Sequence, residues 1–192
     1  MGEQFLILIG AGLVSNLILD HMLGVDPVLA VSRQIDPALD LALLMVLVLP
    51  VTTTGNYLLN SLILLPFDLA HLQIIALVLT TCLQVLITTW LIGRFKPALY
   101  RRIELYIPLV LVNGSILGVT LLNPGHGLLE SLFFGLGSAA GFGLILIMFS
   151  AIRERITVAD VPVPFRGTAI LLITLGLISM AFMGFNGMAS FR

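Results

Sequence analysis

The sequence predicts an all-α membrane protein of six transmembrane helices, built as two inverted three-helix repeats with broken first and fourth spans. Three observations carry this reading. The composition is 59% hydrophobic and 10% charged, with a mean hydropathy of +1.14, whereas a soluble domain carries about 25% charged residues. Apolar runs of the roughly 20 residues needed to span a bilayer recur six times. Two of those runs share an interruption. Leu23-Gly24-Val25-Asp26-Pro27-Val28-Leu29-Ala30-Val31-Ser32 is echoed 88 residues later by Leu111-Val112-Asn113-Gly114-Ser115-Ile116-Leu117-Gly118-Val119-Thr120. Broken apolar segments in corresponding halves point to the working end of a membrane protein. A chance likeness between Leu/Val/Gly-rich spans is the competing reading.

The predicted segments run Phe5–Ser32, Ala38–Leu58, Leu72–Ile92, Leu105–Leu122, Leu128–Ile152 and Thr168–Phe185. The first is longer than a bilayer requires. Its 28 residues would reach about 42 Å as a straight helix, against a hydrocarbon core of about 30 Å. Gly24 and Pro27 supply the place to bend or unwind it. Nothing basic precedes this run, so it is expected to stay as a span and not to be cleaved as a signal peptide. The connections are short and carry Asp36-Pro37, Pro66, Lys96-Pro97, Asn123-Pro124-Gly125, and Pro162 with Pro164, all turn-forming signals. The whole chain, residues 1–192, reads as one integral-membrane domain, with repeats of about 1–100 and 101–192.

Loop charge orients the spans. Arg33 lies in the first loop, Arg94, Lys96, Arg101 and Arg102 in the third, and Arg153, Arg155 and Arg166 in the fifth; only Arg192 falls on the other side, a tally of eight against one. The positive-inside rule then places the odd loops in the cytoplasm and both termini outside. Three spans per half make the second half enter in the opposite direction, which turns the echo into an inverted repeat. A net charge of -1 gives no reason to expect a nucleic-acid partner. The lone cysteine, Cys82, rules out a disulfide framework.

Polar residues inside apolar spans are costly and tend to face a cavity or a partner. Asn16, Asp20 and Gly24 share one helical face by their spacing, with His21 and Asp26 nearby; Asn113, Gly114 and Ser115 interrupt the fourth span. An ion path through Asn16, Asp20, His21, Asp26 and Asn113 is the functional reading. A neutralised carboxylate, or one bonded to unwound backbone, is the structural one. Ala151-Ile152-Arg153-Glu154-Arg155 and Asp160-Val161-Pro162-Val163-Pro164-Phe165 form a basic, proline-bearing segment suited to docking a cytoplasmic subunit, or to simple anchoring. Gly135, Gly137, Gly141 and Gly143 read as packing glycines.

With Ile152–Gly167, Ala181-Phe182-Met183-Gly184-Phe185-Asn186-Gly187, Leu23-Gly24 before Pro27, Asn113 and Leu117-Gly118-Val119 in view, the chain resembles the RnfA/NqrE membrane subunits, RnfA more closely. The resemblance covers essentially the whole length. It implies a non-autonomous subunit of an ion-translocating complex that moves electrons between ferredoxin and NAD while pumping sodium ions or protons. It also implies an oppositely oriented RnfE-like partner, further Rnf subunits of the B, C, D and G types, and a [2Fe-2S] cluster held between the two homologous subunits. The family's cluster cysteines fall on Asp26 and Gly114 in this sequence, so both thiolates are absent. Asp26 offers a hard oxygen ligand and Ser115 a weaker second one, whereas such clusters are held almost always by cysteine. A family glutamate in the third span falls on Thr89. The alternative function is a cluster-less ion or proton carrier, or a structural assembly subunit.

Overall fold

The computed structural model describes residues 2–14, 16–122 and 127–189; the Asn123-Pro124-Gly125 connection, His126 and Arg192 lie outside them. Every regular element among the described residues is helical. The first apolar segment is not one helix. It divides into α1 (Gly2–Ile9), a π-helical turn over Gly10–Val14, α2 (Leu17–His21) and α3 (Val25–Val31). The break before α3 falls where the sequence places it. Met22 and Gly24 both take positive φ, 54° and 80°, and only glycine does so without steric cost. Pro27 is then the third residue of α3, where its missing N–H has no helical partner to lose. A second break, around Asn16, is an addition to the sequence reading.

Among the described residues, three helices are long and apolar enough to cross a membrane: residues 35–64, 73–95 and 128–157. They correspond to α4 (Ile35–Leu59, continued by a π turn), α5 (Gln73–Phe95) and α9 (Leu128–Thr157). Between them lie α6 (Pro97–Ile103), α7 (Ile107–Leu111) and α8 (Gly114–Leu122). Pro97–Leu111 and Gly114–Leu122 together make a fourth candidate span, bent by 65°. The bend is the predicted interruption of the fourth segment. The last helix, α10 (Thr168–Ala189), contributes a shorter apolar stretch, Thr168–Gly184.

The centre of the molecule is the α4–α9 pair. Half of α4's apolar window and 56% of α9's are buried, against 22% for α5, so α5 is peripheral and turns Ile74, Leu79 and Trp90 outward. Close approach is set by glycines, as the sequence suggests. A methyl at Gly135 would strike Thr53 and the backbone at Pro50; one at Gly137 would strike the Leu8 carbonyl, and one at Gly141 the Gly12 carbonyl. Small residues at a helix interface let backbones meet and gain dispersion contacts where lipid offers no hydrophobic drive. α9 thereby holds α4 on one side and the broken first segment on the other.

Candidate functional site

Two of the three breaks, those around Asn16 and Asn113, are closed by a buried asparagine, while the break before α3 rests on Gly24 and has no side-chain cap. Asn16 is 2% exposed and Asn113 is 3% exposed. The N–H of Ile18 donates to Asn16 Oδ1 at 3.1 Å, and that of Ser115 to Asn113 Oδ1 at 2.9 Å. Both are caps on helix N-terminal donors that would otherwise lie orphaned in an apolar medium. Each amide nitrogen also has a partner: Asn16 Nδ2 donates to the Gly12 carbonyl at 2.8 Å, and Asn113 Nδ2 approaches Met45 Sδ at 3.9 Å. The two asparagines predicted as ion-path residues thus serve the backbone of the breaks.

The α2–α3 and α7–α8 breaks face each other. A methyl group built on Gly24 would collide with Ser115 Oγ and lie 3.0 Å from the Phe142 ring and 3.2 Å from Asn113 Oδ1. Beside this contact is a pocket of about 300 Å³ lined by Asp26, Pro27, Pro108, Leu109, Val112, Asn113 and Gly114. Asp26 and Pro27 belong to the first turn of α3 and Gly114 begins α8, so the N-termini of two half-helices line one hollow. Such termini carry partial positive charge and favour an anionic group, and Asp26 places a carboxylate in the first turn of α3. Asp26 and Gly114 are both exposed at this face, whereas Ser115 is fully buried. Its hydroxyl, without a partner in the described structure, lies behind the pocket wall against Gly24.

The other charged candidates sit elsewhere. Asp20 and His21 approach to 3.6 Å, each about two-fifths exposed. Asp20 lines a second hollow of about 200 Å³ with Leu13, Asn16, Ser179 and Met183. There Ser179 Oγ donates to the Leu19 carbonyl at 2.8 Å, tying α10 to the broken segment. The candidate ion-path residues therefore fall into two groups, Asn16 with Asp20 and His21, and Asp26 with Asn113. Thr89 is buried and donates to the Val85 carbonyl at 2.8 Å.

Sequence reasoning missed two constellations. One is a buried amide node: Asn56 Nδ2 donates to Thr81 Oγ1 at 2.7 Å and to Thr120 Oγ1 at 3.1 Å. Asn56 Oδ1 accepts from Thr80 Oγ1 at 3.0 Å and Gln84 Nε2 at 3.3 Å. The node joins α4 and α5 to α8, the half-helix that begins at Gly114. A polar Asn56 and Gln84 within apolar spans were the available signal. The other is a clamp from α9. Arg153 Nη1 donates to the Leu29 carbonyl at 2.6 Å and to Ser32 Oγ at 2.7 Å, and Ser150 Oγ donates to the Ser32 carbonyl at 3.2 Å. The N–H of Ile35 donates to Glu154 at 3.2 Å. An arginine satisfies the Leu29 carbonyl near the end of α3, and a glutamate satisfies a donor at the start of α4, each where the helix dipole favours its charge. Two residues of the Ala151–Arg155 segment, half-buried Arg153 and exposed Glu154, thus bond to the α3–α4 connection.

The described residues contain no group of three or more His, Cys, Asp or Glu able to hold a metal ion. The pocket residues also do not fit an iron–sulfur cluster. Position 26 presents a carboxylate, position 114 presents no side chain, the Ser115 hydroxyl is buried, and Cys82 lies on α5.

The comparisons agree on one family. The family model described as "Rnf-Nqr subunit, membrane protein" matches residues 4–189. A protein of Azotobacter vinelandii is 46% identical, over 98% of each chain. One of Shewanella pealeana is 43% identical, over 98% of this chain and 99% of its own. One of Pseudoalteromonas translucida is 42% identical over the full length of both. All three are named as the A-type subunit of an ion-translocating oxidoreductase complex. The chain, apolar throughout and interrupted at two facing breaks, belongs to the Rnf-Nqr family of membrane subunits.

Proposed function

We propose that this chain is the RnfA-type component of an ion-translocating oxidoreductase complex, a multi-pass subunit of the bacterial inner membrane. The observation that carries the reading is its identity of 42–46% to relatives so named, along essentially the full length of each chain. The subunit does no redox chemistry alone. It works with an oppositely oriented RnfE-like homologue and with other Rnf subunits that bind the electron donors and acceptors.

In this reading six spans form two inverted three-helix repeats, residues about 1–100 and 101–192, with both termini periplasmic. The charge tally of the loops supports the orientation, and the two half-helices α3 and α8, whose first turns line one pocket, support the repeat. The pocket opens at a face where Val112 is 88% exposed, and this face is where the homologous partner sits. Asp20, His21 and Asp26, with Asn16 and Asn113 shaping the breaks around them, line the ion path. Because the residues present do not suit an iron–sulfur cluster, no electron-transfer step is assigned to this chain.

The test is a pull-down through a tag on this chain in mild detergent, read by mass spectrometry. Recovery of other Rnf-type subunits is expected; recovery of none refutes the assignment. A second reading, a cluster-less ion carrier or assembly subunit, is favoured by the Asp20 carboxylate in its hollow beside Asn16. Ion flux in proteoliposomes that survives both Asp20→Asn and Asp26→Asn unchanged would remove the carrier form of it.

A further inference from the structure

We infer that the pocket between the two half-helices is a redox-silent site: its shape admits thiolate ligands at positions 26 and 114, but the chain supplies neither and presents only the Asp26 carboxylate. The inference rests on the family assignment for the identity of the two positions, and on the geometry for everything else. Asp26 and Gly114 line one pocket of about 300 Å³ from opposite sides of the facing breaks.

Glycine at 114 is not imposed by crowding. A Cβ there would meet only the Leu23 Cδ2 atom, at 3.9 Å, an ordinary van der Waals contact. That sets it apart from Gly24 and Gly118, where a Cβ would strike Ser115 and Leu23 respectively. Position 114 has space for a side chain and lacks one. No neighbour makes up the deficit. Ser115 is turned into the protein against Gly24, and no cluster of three His, Cys, Asp or Glu exists among the described residues. Two partner thiolates cannot complete the four-ligand shell of a [2Fe-2S] cluster when this side offers one hard carboxylate.

The experiment has two arms. In the complex recovered through a tag on this chain, iron content and the reduced [2Fe-2S] EPR signal are compared between wild type and Asp26→Ala. Identical values are expected; loss of iron or signal on this substitution overturns the inference. In the second arm, the full-length chain in detergent carries Cys82→Ser together with Asp26→Cys, Gly114→Cys or both, and cadmium is titrated by thiolate-to-metal absorption. If the two positions share a site, the double substitution chelates cadmium about a hundredfold more tightly than either single one, by effective concentration. Equal affinities for single and double substitutions overturn the shared-pocket geometry. The second arm needs no partner, so failure of the pull-down and failure of this inference are separable.

Discussion

Gly24→Ala isolates the contact that holds the two breaks together. Gly24 takes φ of +80°, a conformation that costs a residue with a Cβ about 1–2 kcal/mol. The new methyl would also run into Ser115 Oγ, with the Phe142 ring at 3.0 Å and Asn113 Oδ1 at 3.2 Å, and overpacking of this kind costs about 1–3 kcal/mol. The sum is about 2–5 kcal/mol, which for a chain of this size lowers the melting temperature by roughly 4–20 °C. Rotation of the Ser115 hydroxyl would bring the value toward the lower end. Cys82 is the only cysteine and is half-buried, so the rate of its labelling by a thiol-reactive dye on heating in detergent reports unfolding without further engineering. Gly114→Ala is the matched control. It adds the same methyl at the facing break, where the nearest atom outside the immediate chain is 3.9 Å away. A change within about 0.5 kcal/mol is expected there, as for substitutions that touch no special feature. The reasoning is refuted if Gly24→Ala melts with the wild type, or if Gly114→Ala is as damaging.

Two further predictions follow from packing and hydrogen bonding. Asn56→Leu removes four interhelical hydrogen bonds; at about 0.6 kcal/mol each in a membrane protein, a loss of about 2 kcal/mol is expected in the same dye assay, and an unchanged melt would show the node to be idle. Gly141→Val directs a side chain at the Gly12 carbonyl, a backbone atom that cannot swing aside. The yield of monodisperse subunit on size exclusion should fall sharply, and a wild-type profile would contradict the close approach of α9 to the first segment.

Much of the fold was legible because a bilayer leaves the chain few choices. Apolar runs must become helices, since no water is present to satisfy an exposed backbone. Gly24 and Asn113 marked the two breaks for the same reason, each being a residue that an unbroken span has no use for. Gly135, Gly137 and Gly141 marked the close approaches. Less legible was the fate of the first segment. Its composition is as apolar as that of any other span, yet it breaks twice. The break around Asn16 depends on an amide that reaches both the Gly12 carbonyl and the Ile18 N–H, a local geometry that hydropathy does not encode.

The sequence by itself determined that this is a helical membrane protein, where its two interruptions lie, and which family it joins, because those follow from composition, local backbone preference and motifs. Tertiary structure alone decided what the polar residues do. Asp20 and Asp26, six positions apart, open into different hollows, while Asp26 and Gly114 share one. Arg153 reaches back across 124 residues to the end of α3, and Asn56 gathers hydroxyls from α5 and α8. The physical reason is the same in each case. A buried polar group must find its partner in space, and the packing of α4 against α9 sets which groups come within reach.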